Sequence, residues 1–192
     1  MSVFGLIRGF RSSDSTAQPL RLDKATNTIQ IIDYEHHEIH AGSHFEIADN
    51  VDLSINNVRE IRITAHNSTK WAHLTFSLAA EAETEVYLYE DVTLVTAGSA
   101  ITPINNDRNS TTASVTVVDY IDNSSVANAN SDTTVSGYID HVIVGAGRNA
   151  GFTSRAEEII LKQGKIYSLR FIANAAGFVN YKLQYYEHTN IA

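Results

Sequence analysis

From residue 44 onward, apolar and polar positions alternate. HFEIAD (44–49), VREIRITAH (58–66), KWAHLTFSLA (70–79) and TEVYLYEDV (84–92) carry dense β-branched, aromatic or apolar residues at a spacing of two. That is the period of a β-strand with one buried face. The same character returns in TASVTVVDYI (112–121), GYIDHVIVG (137–145), EEIILK (157–162), KIYSLRFIAN (165–174) and FVNYKLQYYEH (178–188), and a shorter run, TIQIID (28–33), precedes them all. Clusters of Gly, Asn, Asp and Ser separate the runs and supply turn chemistry. In VREIRIT, Val58, Ile61 and Ile63 stand against Arg59, Glu60 and Arg62, so one face is expected to be buried. In VYLY, Val86 and Leu88 alternate with Tyr87 and Tyr89. Only 72–82 has any helical reading, and Thr75 and Phe76 sit badly within it.

Eight to ten short strands without intervening helical periodicity predict an all-β protein with less than about a tenth helix. At this length the expected architecture is an antiparallel jelly-roll-like sandwich, whose doubled sheet also covers strand edges. Residues 1–18 read as an extended N-terminal arm and tether, and 19–192 as a single jelly-roll-like domain. The polar stretch DNSSVANANSDTT (122–134) and the segment AGSAITPINNDRNSTT (97–112) read as exposed loops. No repeat of fixed period is visible.

Composition narrows the function. The net charge is −8, from 14 Lys and Arg against 22 Asp and Glu, with no basic run, which argues against sequence-independent binding to nucleic acid. There is no cysteine, so the fold rests on burial alone and its chemistry suits a reducing compartment. No apolar run approaches the roughly 20 residues of a membrane span, and MSVFGLIRGFRSS, short and interrupted by Arg8, makes a poor signal peptide. The sequons at Asn67, Asn109 and Asn123 are expected by chance in a chain so rich in Asn, Ser and Thr.

The segment DYEHHEIHAGSHF (33–45) gathers His36, His37, His40 and His44 within nine positions. The zinc-protease pattern needs two histidines four apart around a glutamate on a helix, and His37-Glu38-Ile39-His40 is one residue short. On a strand, His36, Glu38 and His40 share one face, where a metal could sit as in cupin enzymes. The cupin pattern, however, begins with His-x-His, which does not occur here. The favoured reading is structural: histidines that bond to neighbouring strands or line a subunit interface, with no metal and no cofactor. GAGRNAG (145–151) is one residue too long for a dinucleotide fingerprint and lacks a βαβ unit, so it reads as a flexible hairpin-type connection. Glu157-Glu158 and Glu81, Glu83 and Glu85 read as solvated strand edges, not the paired acids of a glycosidase. Trp71, Tyr181 and Tyr185 offer sugar-stacking surfaces, although aromatics on strands more often serve core or interface. Nothing amounts to an active site, and the chain is read as not an enzyme.

EHHEIHAGSHF (35–45), STKWAHLTFSL (68–78), VYLYEDVTLVTAGSAITPINNDRNS (86–110) and the closing YKLQYYEH (181–188), in this order, resemble the decoration or cement proteins of tailed-bacteriophage heads. The resemblance covers about residues 20–188 and consists of short phrases, not a catalytic motif. It implies a jelly-roll-like fold, homotrimers at symmetry axes, the major capsid protein as partner, and a place on the outer surface of the virion after synthesis in the host cytoplasm. The role it implies is to stabilise contacts between capsid subunits. The alternative is a glycan- or receptor-binding sandwich of a phage tail or fibre, which would need an exposed aromatic platform flanked by polar groups; fold alone does not separate the two.

The arm is the expected contact. Phe4, Leu6, Ile7 and Phe10 precede the polar RSSDSTAQ (11–18), read as a flexible tether. Burying four such side chains gains roughly 1.5–3 kcal/mol each, against about 1–2 kcal/mol per residue to order the backbone, so the arm is expected to order only against a capsid protein or a neighbouring subunit. His36, His37, His40, Tyr181 and Tyr185 are the further interface candidates.

Overall fold

The computed structural model of the chain describes residues 8–10, 17–19, 34–123, 131–132, 137–145, 148–152 and 157–189. Strands β1 (Arg8–Phe10) and β2 (Ala17–Pro19) come first, followed by a helix, α1 (Tyr34–His40). Next are β3 (His44–Leu53), β4 (Val58–Thr64), β5 (Lys70–Ala80), β6 (Thr84–Glu90), β7 (Thr93–Leu94), β8 (Ser99–Ile101), β9 (Ile104–Asn105) and β10 (Val117–Asn123). The chain continues with β11 (Ser131–Asp132), β12 (Tyr138–Val144), β13 (Arg148–Phe152), β14 (Ile159–Ile160), β15 (Ile166–Ala173) and β16 (Gly177–Thr189).

The chain divides into two compact units, Met1–His37 and Glu38–Ala192. In the first, β1 and β2 pair antiparallel, with Arg8 opposite Pro19 and Phe10 opposite Ala17. Residues 17 and 18, expected in a flexible tether, are therefore strand. Phe4, Leu6, Ile7 and the run 28–33 lie outside the described residues.

The second unit is an antiparallel sandwich. One sheet has the order β12-β6-β15-β4-β10-β8; the other has the order β13-β5-β16-β3-β9, with β14 also on β5. The outgoing strands β3, β4, β5 and β6 fall alternately in the two sheets. The returning strands pair with them in reverse: β12 with β6, β13 with β5, β15 with β4 and β16 with β3, all antiparallel. A long hairpin wound upon itself in this way is a jelly roll. Strand β10 extends the first sheet beyond β4, and β8 extends it further.

Alternation along the strands becomes burial between the sheets. In β5 the even positions Ala72, Leu74, Phe76, Leu78 and Ala80 are buried while the odd ones are half-buried, so the weak helical reading of 72–82 gives way to a strand that fits the pleat. Facing them are Ile61, Ile63, Leu88, Leu169 and Phe171 from the first sheet. Tyr181 and Tyr185 join this core, at 3% and 2% exposure. Their expected outward position is thus corrected: odd residues of β16 point inward, and both rings are taken up within the chain.

Polar side chains at the ends of the core hold the sheets in register. Arg59 of β4 grips both carboxylate oxygens of Asp122 on β10 and donates to the Tyr181 hydroxyl at 3.3 Å and to Asp49 at 3.4 Å. Burial, partly offset by Arg59, pushes the Tyr181 phenol up to about 12. Farther along β16, buried Glu187 accepts the backbone N–H groups of Val115 and Thr116 and the hydroxyl of Ser114. Residues 114–116 are therefore bound by a carboxylate, and the strand expected over 112–121 starts only at Val117.

Two loop expectations are also revised. Within 97–112, β8 pairs with β10 and β9 with β3, and buried Asn105 of β9 bonds to the carbonyls of Gly42 and Thr112. Within 122–134, Asp122 and Asn123 complete β10, and Ser131–Asp132 pairs with β7. GAGRNAG likewise enters β13 at Arg148, although residues 146 and 147 lie outside the described set.

Phe171 is fully buried, with its ring 5.2 Å from that of Tyr181. Replacing Phe171 by Ala should cost about 3–5 kcal/mol in urea unfolding. Phe178→Ala, at a half-exposed position, should stay within about 0.5 kcal/mol. Equal effects would contradict this assignment of the core.

Candidate functional site

The outer face of the first sheet gathers four rings from two strands. Tyr87 and Tyr89 occupy odd positions of β6, whose even residues Val86 and Leu88 are buried. Pairing places Tyr138 of β12 opposite Tyr89 and His141 opposite Tyr87. Tyr87 stacks on His141 at 4.2 Å and on Tyr89 at 5.8 Å, with interplanar angles of 13° and 23°. Tyr138 stands edge-on to both tyrosines, at 64° and 85°, and is 58% exposed. A break in register between Tyr138 and Asp140 sets the angle of the strand's start.

Polar groups frame these rings. Tyr87 donates its hydroxyl to Glu85 at 2.7 Å, and the Asn174 amide donates to the same carboxylate at 3.0 Å. Those two bonds, Asn174 first, hold Glu85 below the usual carboxylate range, and the bond to Glu85 is the main reason the Tyr87 phenol is pushed up to about 12. At neutral pH the pair is therefore an anion and a neutral hydroxyl. Asp140 accepts the backbone N–H of His141 at 2.9 Å. The Arg170 guanidinium lies 5.1 Å over the ring of Tyr89.

Behind the rings the same face carries buried charge. Glu60, Arg62, Ser168 and Arg170 are all buried, although VREIRIT suggested one buried face only. Ser168 donates to Glu60 at 2.6 Å, and Arg170 lies 3.6 Å from the same carboxylate. Arg62 donates to Asp119 at 2.5 Å and to the carbonyl of Thr96. A side chain on Gly98 would come within 2.5 Å of Arg62 and 2.7 Å of Asp119, so the loop lies directly on this pair.

The outer face of the second sheet holds another cluster. His73 Nδ1 lies 2.9 Å from Glu158, and its Nε2 lies 2.8 Å from Nε2 of His188; Tyr186 donates to Glu158 at 2.9 Å. His188 Nδ1 is 3.0 Å from the carbonyl of Thr189. The Tyr186 hydroxyl also lies 2.8 Å from His73 Nδ1, and its ring stacks on the His73 ring at 4.5 Å.

The segment 33–45 is placed differently from the strand expected of it. Tyr34–His40 is a helix, closed by Gly42 at φ +69°, whose N–H reaches the Ile39 carbonyl at 2.9 Å while Ser43 N–H reaches that of Glu38 at 3.0 Å. This paired closure is a Schellman cap. The expected face of His36, Glu38 and His40 is therefore not formed: Glu38 is buried and accepts the Ser43 hydroxyl, while His36, His37 and His40 are exposed. Among the described residues, no group of three or more His, Asp or Glu is arranged to hold a metal ion, and no helix is long and apolar enough to cross a membrane. Glu81 accepts the N–H of Phe178 and Glu83 the amide of Asn174, so these acids, like Glu158, are held in structural bonds. Trp71 is half-buried.

No family model matches the chain, and neither a curated protein nor a solved structure matches it.

Glu90 resembles Glu85 in being held below the usual carboxylate range, chiefly by the bond from Lys162, with Tyr167 donating as well. A carboxylate whose folded value is lowered contributes stability that is present above the ordinary value of about 4.3 and lost as pH falls through the folded one. The melting temperature should therefore drop on acidification below about pH 4.3. Glu85→Gln and Glu90→Gln should flatten that drop, and an unchanged slope in both variants would contradict the assignment.

Proposed function

We propose that the chain is a viral structural protein: a decoration or cement protein that binds the outer surface of a tailed-phage head and stabilises contacts between capsid subunits. It acts as a homotrimer and carries out no catalysis. The observation that supports this reading most is a set of exposed apolar side chains. Leu94, Val95 and Ile104, all within the phrase 86–110 on which the resemblance rests, are exposed. Exposed Val117 of β10, the strand that pairs with β8, adds to them. Exposed apolar side chains fit a protein contact where they come together, and a stable one would bury on the order of 800 Å² per partner. Phe4, Leu6, Ile7 and Phe10 are the proposed second contact. Three copies of a weak arm attach firmly because the second and third bind at high effective concentration.

Two measurements test the reading. Light scattering at micromolar concentration should give three chains of 21.1 kDa, and purified protein should co-sediment with phage heads stripped of decoration. Val95→Asp with Val117→Asp should leave the fold intact, since both sites are exposed, and abolish co-sedimentation. Deleting residues 1–11 should sharply weaken it. A monomer that fails to bind heads, or variants that decorate as fully as the parent chain, would overturn the proposal.

A further inference from the structure

The aromatic patch of β6 and β12 lies at the edge of the sheet opposite to β8. Five strand spacings of about 4.8 Å separate the two edges, roughly 24 Å. A molecule attached through its β8 side therefore keeps the β12 edge clear, and the two surfaces can act independently.

We propose that Tyr138, with Tyr87, Tyr89 and His141 behind it, forms a binding site for a neutral carbohydrate, with a pyranose ring stacked on the face of Tyr138. Three observations point to this ligand. First, Tyr138 is the exposed ring of the set, and each described ring beside it meets it edge-on or tilted, at 56° or more. No described ring lies parallel to it, and its exposure leaves ring surface for the C–H side of a sugar. Second, the ring is braced from behind by Tyr87 and Tyr89, themselves locked in a stack with His141. The surface is thus pre-formed and loses little freedom on binding. Third, a hydrogen-bonding group of fixed orientation borders the rings: Glu85, held by Tyr87 and Asn174. Sugar hydroxyls are donors that carboxylates accept well.

The same carboxylate decides the class of sugar. Glu85, bonded to the Tyr87 hydroxyl, puts negative charge on the ring set, so a sialic acid or a uronic acid would be repelled while a neutral hexose or N-acetylhexosamine would not. A cationic ligand is the less favoured occupant, because the guanidinium of Arg170 already sits over Tyr89.

The test is titration of the full-length protein with neutral oligosaccharides of glucose, galactose and N-acetylglucosamine, and with a sialylated oligosaccharide as the charged probe. Binding is followed by the chemical shifts of the tyrosine ring protons. A neutral probe should shift Tyr138 resonances in a saturable manner. Tyr138→Ala should weaken binding about tenfold, the loss expected for one well-placed ring, while Tyr138→Phe should retain it. Both variants should still co-sediment with phage heads, which separates this site from the capsid contact. No saturable shift with any neutral probe, unchanged affinity in Tyr138→Ala, or preference for the sialylated probe would each overturn the proposal.

Discussion

The register of β16 is the constraint on which the rest of the structure depends. This strand runs for 13 residues and pairs on both sides, with β3 from Gly177 to Tyr186 and with β5 from Val179 to Thr189. Because side chains alternate, a slip of one residue would turn Val179, Tyr181, Leu183, Tyr185 and Glu187 out of the core and Lys182, Gln184 and His188 into it. Several bonds forbid that slip. Tyr181 meets Arg59 and Asp49, Tyr185 meets Ser114, and Glu187 holds residues 114–116. On the opposite face, Lys182 pairs with Glu46 at 2.7 Å and His188 meets His73. These bonds act at specific rungs, so they select a register that apolar burial alone would leave less sharply defined.

The first sheet shows a second consequence of pleated packing. Strand β4 lies between β15 and β10 and is buried at six consecutive positions, Val58 to Ile63. Three of the six are charged. A buried charge is tolerated when a partner replaces the water it has lost, and each of these has one within the sheet: Arg59 with Asp122, Glu60 with Ser168 and Arg170, Arg62 with Asp119. The partners sit directly opposite in the ladder or one strand over, so strand pairing itself delivers them. Removing a partner would leave the β4 charge buried, which is worse than losing the pair.

The strands were legible in the sequence because their determinant is local. Period-two runs at 44–49, 58–66, 70–79, 84–92, 137–145, 165–174 and 178–188 all became strands, and their number and length made a jelly-roll-like sandwich the expected architecture. What was not legible depends on pairing. Tyr87 and Tyr89 were visible as outward residues, but their meeting with Tyr138 and His141 requires the pairing of β6 with β12. His73 and Glu158 are 85 residues apart, and His73 and His188 are 115 apart, so no spacing rule joins them. The compact histidine window drew attention instead, and its strand reading failed because α1 is set by a cap: Gly42 at positive φ and Ser43 bonding to Glu38. Similarly, β-branched residues at 112–116 suggested strand, and a carboxylate from β16 took their backbone groups first.

Edge strand β12 also bears on how the outer surface is used. Tyr138, Ile139 and Ile143 are all exposed there, and an apolar edge invites pairing with other chains. The strand carries two known safeguards. Its register breaks between Tyr138 and Asp140, which interrupts the flat run of backbone groups, and Asp140 places a carboxylate within it. A surface that needed only to be inert would replace the tyrosine and isoleucines with polar residues, at small cost to stability. Here the apolar side chains remain, while the backbone beside them is made a poor template. That combination lets side-chain recognition proceed while strand addition is discouraged, so the edge is suited to a ligand that meets rings rather than a chain that meets backbone.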